Sequence, residues 1–188
     1  KKNPEKHWKI IDVGCSNGEI SRLLDRELSK SGYNISILGI DIDPVSLEIA
    51  REMTSSQNIN YKNIDIYSEE FINLKPDIVV TTLTLHHFTY EQINKFILNC
   101  FTNNAPILII NDLHRNILAY RLFNLFGIVT KLHPINRNDG KISILRGFRR
   151  DDMNAHYKFV KKKIPKIQSL IKWKWAFRYL WILKIYER

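Results

Sequence analysis

The sequence predicts a doubly wound α/β fold: a mostly parallel sheet covered by helices and closed by an antiparallel hairpin. Three observations carry this. Short apolar, β-branched runs alternate with segments of helical period between residues 9 and 131. Glycine and Asp-Pro punctuation falls at their joints. The last twenty or so residues then change to two aromatic, β-branched runs with almost nothing between them.

In order, residues 9–13 form a buried strand, and 19–31 a helix with Ile20, Leu23, Leu24 and Leu28 at helical spacing, ended by Gly32. Residues 35–40 are a second strand, after which Asp43-Pro44 starts a helix running to about residue 55. A weaker third strand spans 60–66 and a fourth 76–83. Residues 90–101 form a helix with Ile93, Phe96, Ile97 and Cys100 on one face. A fifth strand, 105–111, precedes an apolar helix from about 116 to 131. Strands joined this way imply parallel pairing through right-handed crossovers. Residues 133–166 read as a polar loop and a short helix near 150–161, ending in Lys162-Lys163-Ile164-Pro165. Residues 168–175 and 177–186 form the hairpin, with Trp173 and Trp175 facing the core or packing across it.

At 188 residues, 44% hydrophobic and 26% charged, the chain suits one domain with a sizeable core, spanning 1–188. No apolar run reaches the roughly 18 residues of a membrane span, and no signal-peptide pattern is present. The opening Lys1-Lys2-Asn3-Pro4 lacks a Met, so the chain is expected to be the ordered part of a longer one. Cys15 and Cys100 have no metal-ligand spacing and form no disulfide framework; no metal is expected, and the default compartment is the cytoplasm. Charge is uneven. Residues 1–112 hold 11 Lys/Arg against 15 Asp/Glu, a net −4, while 113–188 hold 18 against 4, a net +14. That surplus fits lysines on solvated faces, and it fits an anion, a membrane surface or nucleic acid.

The functional signal begins in Ile10-Ile-Asp-Val-Gly-Cys-Ser-Asn-Gly-Glu-Ile20, a strand breaking into a loop before a helix. Helix N-termini offer unpaired N–H groups, and small residues at 14, 16 and 18 admit a ligand close to the backbone. Asp41 ends the second strand, where a carboxylate can accept both ribose hydroxyls of an adenosine. Asp43, before Pro44, is instead a helix cap. Asp65 closes the third strand within reach of an adenine amine.

These segments resemble the class I S-adenosylmethionine-dependent methyltransferases of small-molecule type. IIDVGCSNGEI is similar to their first motif, with Ser16 replacing the middle glycine. GIDIDPVSLEIA resembles the ribose segment and Lys62-Asn-Ile-Asp-Ile66 the adenine segment. Pro76-Asp-Ile-Val-Val-Thr-Thr-Leu-Thr-Leu-His-His-Phe88 resembles the fourth-strand motif ending in Leu-His-His. The resemblance implies a Rossmann-like, seven-stranded sheet of order 3-2-1-4-5-7-6. It also implies a cofactor half at about 8–113, substrate-side helices and hairpin at about 114–188, and a lid preceding Lys1.

It further implies S-adenosylmethionine as cofactor. Asp12 is expected near the methionine ammonium, directly or through water, with Gly14, Cys15, Ser16 and Gly18 as the wall. Asp41 would hold the ribose and Ile42 pack the adenine. Asp65 and Ile66 would meet the adenine edge, and Thr82 and Leu83 would line the methionine. Cys15 reads as a packed residue, not a nucleophile. Methyl transfer from a sulfonium is mostly alignment, helped by a base where the acceptor is a hydroxyl. His86 and His87 sit where that base belongs, of which one at most can face the pocket, with His114 as a further candidate. Asp112 and Arg115, after the fifth strand, are candidates for orienting substrate; capping the next helix is the competing role for Asp112. Arg146 and Arg149, in Arg-Gly-Phe-Arg-Arg, would give a basic rim for an anionic group on the acceptor. The apolar helix after residue 116 is either buried, packed on a partner or covering an apolar acceptor.

The acceptor is therefore expected to be small, aromatic or apolar: a phenol, quinone precursor or polyketide-like compound. A nucleic-acid acceptor is the main rival, suggested by the basic half. Against it, the chain lacks the Asp/Asn-Pro-Pro-Tyr/Phe segment of base-amine enzymes, and neither cysteine follows a proline. A non-catalytic cofactor-binding relative is the remaining alternative. Membrane-surface contact is compatible with the charge, and oligomeric state is not legible.

Overall fold

A computed structural model describes residues 6–102 and 105–185. The elements are β1 (His7–Val13), α1 (Glu19–Lys30), β2 (Asn34–Asp41), α2 (Pro44–Glu52), β3 (Ile59–Asn63), α3 (Glu69–Ile72) and β4 (Ile78–Thr82). A 3-10 turn (Leu85–His87) precedes α4 (Tyr90–Thr102) and β5 (Ile107–Leu113). Then come α5 (Ile117–Val129), α6 (Pro134–Arg146), α7 (Arg150–Lys163), β6 (Ile167–Lys174) and β7 (Arg178–Ile185).

One seven-stranded sheet has the order β3-β2-β1-β4-β5-β7-β6. The pairs from β3 to β5 are parallel, and β7 runs antiparallel to both β5 and β6. The fold class and strand order implied by the resemblance are therefore those observed. The direction of winding reverses between β1 and β4, which opens a crevice at the carboxyl ends of those strands.

Alternation along each strand sends neighbours to opposite faces. Ile11 and Val79 pack with Phe71, Phe96 and Trp181 in one core; Ile10 and Val80 pack with Ile37, Leu47 and Tyr61 in the other. The first core is sealed by α4, whose Ile93, Phe96, Ile97 and Cys100 are all buried, as their spacing predicts. At α2, the Asp43 carboxylate accepts from Val45 N at 3.1 Å and Ser46 N at 3.2 Å, with Pro44 in the first turn.

Four expectations need correction. The third strand ends at Asn63, so Asp65 and Ile66 lie in the following turn, where Ser68 caps the short α3. Residues 134–146 are a helix and not a loop: His133 and Pro134 start it, but its polar run Asn136–Lys141 hides the period. The apolar helix α5 is not buried. Only Ala119 and Gly127 are, while Leu118, Leu125, Phe126 and Val129 are among its exposed side chains. Trp175 is 88% exposed, because the hairpin tip extends past the core, whereas the half-exposed Trp173 packs edge-on against Phe177 across the hairpin, as one of its two expected roles.

Candidate cofactor and acceptor site

A cavity of about 550 Å³ lies at the crevice, within the usual size for a small-molecule site. Its floor is the β1–α1 loop. Gly14 has φ +69° and Gly18 φ +77°, a region that favours glycine. A Cβ at Gly14 would meet Thr84 at 2.5 Å, and one at Gly18 would collide with the Tyr61 hydroxyl. Ser16 shares the left-handed backbone, at φ +47°, so the place of a family glycine is held under strain. Its N–H donates to Asp41 Oδ2 at 2.9 Å, and Asp43 N–H donates to Asp41 Oδ1 at 3.0 Å. The Asp41 carboxylate is thus fixed at the cavity wall with lone pairs to spare.

Asp41, Ile42, Asp65, Ile66 and Leu83 all line the cavity, with Gly14 at its base. Ile42 is 74% exposed and Ile66 is buried, which makes an apolar slot suited to a purine between the two carboxylates. The Asp65 carboxylate also accepts from Tyr67 N at 2.8 Å. Leu83 adopts φ +55°, an outlier for a bulky residue, and is tied by its N–H to Asn111 O at 2.9 Å. Tyr67, Thr84, Phe88 and Gln92 complete the wall and were not singled out by sequence. Tyr67 and Gln92 sit just beyond the adenine and Leu-His-His segments, and that adjacency is the signal that could have found them.

Asp12, Cys15, Ser16, Gly18 and Thr82 do not line the cavity. Asp12 is 1% exposed and accepts from Ser21 Oγ at 2.6 Å. Burial, offset by that hydrogen bond and reinforced by the Asp41 charge, raises its carboxyl to about 6. Burial, then the charges of Asp12 and Asp41, push the Cys15 thiol up to about 12, which fits a packed residue and not a nucleophile.

The histidine pair divides. His86 is 6% exposed and its Nδ1 donates to Asp112 Oδ1 at 2.7 Å, whereas His87 lines the cavity. Partial desolvation, then His86 and Arg146, hold His87 below the usual imidazole range, with Asp112 opposing. His86 and Asp112 are therefore corrected from candidates for chemistry to supports. Asp112 is 2% exposed and also accepts from Leu85 N at 2.9 Å and His86 N at 3.3 Å, so it anchors the 3-10 turn. It does not cap α5 either; Asn116 does, accepting from Leu118 N at 2.8 Å.

The Arg115 guanidinium pairs with Asp152 at 2.6 Å, while its Nε is buried without a hydrogen-bond partner among the described residues. His114 is separate from the first cavity. It lines a second one, of about 590 Å³, between α5, α6 and the hairpin tip. Burial and the Arg149 charge lower its pKa. Arg146 and Arg149 are exposed, at the end of α6 and the start of α7. Among the described residues no group of His, Cys, Asp or Glu is placed to hold a metal ion, and no helix is long and apolar enough to cross a membrane.

Comparison with known proteins supplies the family. Residues 10–106 match the family described as methyltransferase domain. A malonyl-[acyl-carrier protein] O-methyltransferase of Acetivibrio thermocellus is 35% identical over 80 residues, which is 42% of this chain and 26% of that protein. The chain thus spans about a quarter of that curated relative. Among solved structures, the plantazolicin methyltransferase BpumL in complex with SAH superposes with a TM-score of 0.73 at 13% identity, covering 95% of this chain and 76% of that one. A SAM-dependent methyltransferase from Aquifex aeolicus gives 0.68 at 12% identity, with 95% and 82% covered. At such identities the likeness speaks for the fold alone. The family match spans more than half of the chain, and it falls on the loop and strands that build the cavity. The chain belongs to the methyltransferase-domain family.

Proposed function

We propose that this domain transfers a methyl group from S-adenosylmethionine to a small apolar or aromatic acceptor, such as a phenol, quinone precursor or polyketide-like compound. One observation carries the reading: the Asp41 carboxylate, the Ile42–Ile66 slot, Asp65 and His87 line a single cavity over the glycine loop. When bound, S-adenosylmethionine supplies a methyl group on a positively charged sulfur. Asp41 accepts the ribose hydroxyls, its orientation set by two backbone N–H groups. Ile42 and Ile66 hold the purine and Asp65 accepts its amine, while Leu83 lines the methionine arm. Asp12 acts from behind the loop, through Ser21 and α1 or through water.

His87 is the residue assigned to the acceptor's proton. Its depressed pKa leaves the ring neutral near pH 7, so it can take the proton of a hydroxyl as the new oxygen–carbon bond forms. The residues after 113 form the acceptor side. Similar proteins include a malonyl-[acyl-carrier protein] O-methyltransferase and a magnesium protoporphyrin IX methyltransferase, acceptors so different that neither is carried over.

Calorimetry with S-adenosylhomocysteine tests the cradle. Binding is expected with the native chain and weakened roughly tenfold or more by Asp41→Ala, the cost of two lost hydrogen bonds to a charged group. An Asp41→Ala chain that binds as well as the native one sinks this assignment. His87→Gln should keep cofactor affinity while slowing transfer by about a hundredfold on a hydroxyl acceptor.

A further inference from the structure

The exit of the glycine loop, Asn17-Gly18, is held from behind by side chains that lie outside the cavity. Tyr61 of β3 is buried, and Gly39 and Gly18 make room for its ring. Tyr61 pairs with Gly39 of β2, where a Cβ would come within 2.5 Å of the ring edge. At the far end of the ring, a Cβ on Gly18 would collide with the hydroxyl. The ring thus reaches from β3 across β2 to the start of α1.

Thr54, just past α2, joins the parts. Its hydroxyl donates to Ala50 O at 2.7 Å, so its oxygen is left to accept. It accepts from the Tyr61 hydroxyl at 3.0 Å and from Arg22 Nη1 at 3.4 Å. Tyr61 shares its proton with Gly18 O at 3.4 Å, and Arg22 Nη1 also donates to Asn17 O at 2.7 Å. Arg51 Nη2, from α2, steadies the base of the ring by donating to Tyr61 O at 3.1 Å. Both carbonyls at the loop exit are therefore tied to α1 and β3, and through Thr54 to the end of α2.

The loop needs such a brace. Ser16 is held at φ +47°, a conformation that a residue with a Cβ keeps where its surroundings impose it. On the entry side, Gly14 N–H and Cys15 N–H donate to Ile40 O at 2.9 and 3.1 Å. On the exit side, α1 starts from Gly18 with no side-chain cap, and Arg22 and Tyr61 supply the hold instead. Between these two anchors the Ser16 N–H donates to Asp41 Oδ2 at 2.9 Å. Asp41 lines the cavity, whereas Tyr61, Thr54 and Arg22 do not.

We propose that Tyr61, Thr54 and Arg22 are positioning residues for the cofactor: their hydrogen bonds at the loop exit hold Ser16 in its left-handed conformation and so aim the Asp41 carboxylate at the ribose hydroxyls. The assignment rests on the cofactor reading above and deepens it, extending the site to residues outside the cavity. Because the brace acts through Asp41, its loss weakens binding by no more than loss of Asp41 itself. It also acts on one part of the ligand, the ribose.

Tyr61→Phe, Thr54→Val and Arg22→Met each remove a polar head and keep most of the apolar bulk. Calorimetry on the full chain compares S-adenosylhomocysteine with its analogue lacking both ribose hydroxyls. Each variant should bind S-adenosylhomocysteine about three- to fivefold more weakly, short of the roughly tenfold expected for Asp41→Ala. Each should bind the analogue as the native chain does. Arg22 is half-buried on the surface of α1, so Arg22→Met should fold even where Tyr61→Phe does not. The proposal is overturned where the folded variants keep native affinity for S-adenosylhomocysteine. An equal loss for both ligands also overturns it, since that marks a general loosening of the loop. A native chain that binds no S-adenosylhomocysteine fails at the cradle, and the brace falls with it. Native binding that the variants leave intact keeps the cradle and removes the brace alone.

Discussion

Asp112→Ala is the most informative single change to the support beneath the site. The carboxylate is 2% exposed and accepts from Leu85 N (2.9 Å), His86 N (3.3 Å), His86 Nδ1 (2.7 Å) and Leu113 N (2.7 Å). The first three donors belong to the 3-10 turn and are themselves buried. Each buried donor left without a partner costs about 1–3 kcal/mol. Water entering the vacated space recovers part of that, so a net loss of about 3–5 kcal/mol is expected. This is a large share of the roughly 5–15 kcal/mol that holds a domain of this kind together. Asp112→Asn keeps an acceptor oxygen and should lose about half as much.

The damage should not stop at stability. The same turn ends in His87 and is followed by Phe88, both of which line the first cavity. Folded Asp112→Ala protein should therefore bind S-adenosylhomocysteine more weakly, although Asp112 itself does not line that cavity. Urea unfolding at pH 7 gives the first quantity and calorimetry below the unfolding transition the second. A loss under about 1 kcal/mol would show that the turn is held by packing and that Asp112 is not its anchor.

Three further changes follow from the same geometry. Gly18→Ala puts a Cβ into a left-handed backbone and against Tyr61, and should cost at least about 1–2 kcal/mol in urea, with weaker cofactor binding. Ser16→Gly relieves the same kind of strain but raises the entropy of the unfolded chain, so stability should move by less than about 1 kcal/mol and cofactor affinity should persist. Acid stability should report two buried groups of opposite sign. Burial pushes His156 down to about 4, against Asp152 and Glu91; its contribution is intact above about 6.5 and is lost as pH falls toward 4, up to about 3 kcal/mol. Asp12, raised to about 6, contributes most below about 4, and that stability is lost as pH rises through 6. Urea midpoints from pH 4 to 6 should thus rise with pH in Asp12→Asn, where His156 remains, and fall in His156→Gln, where Asp12 remains; a flat profile in either variant removes the remaining group from the account.

The strands, the glycine loop and the carboxylates of the cradle were legible because each is a local signal. β-Branched runs mark β1, β2, β4 and β5, and an acid at a strand end marks Asp41. Asp112 was not legible in its true role because that role depends on a distant pairing. Antiparallel pairing with β7 carries β5 on to Leu113, opposite Arg178, so Asp112 belongs to the strand and not to the next helix. The signal was there in period two: Leu108, Ile110 and Asp112 fall on one face and all three are buried. The exposure of Trp175 fails for the opposite reason. Alternation names a face of the hairpin, but only the length of the neighbouring strands decides whether a core lies under that face.

The basic second half, which sequence left open between solvated faces and an anionic partner, divides once its positions are known. Lys161, Lys162 and Lys163 close the last turn of α7, where cations complement the helix dipole, and Lys161 Nζ also donates to Ile167 O at 2.8 Å. Arg150 donates to Ile171 O at 3.3 Å, and Arg115 pairs with Asp152. These cations are accounted for by the fold. Arg146 and Arg149 stand exposed at the end of α6 and the start of α7, and after burial, the larger cause, Arg146 adds to the depression of His87 and Arg149 to that of His114. That charge works with burial to disfavour a protonated His87 or His114.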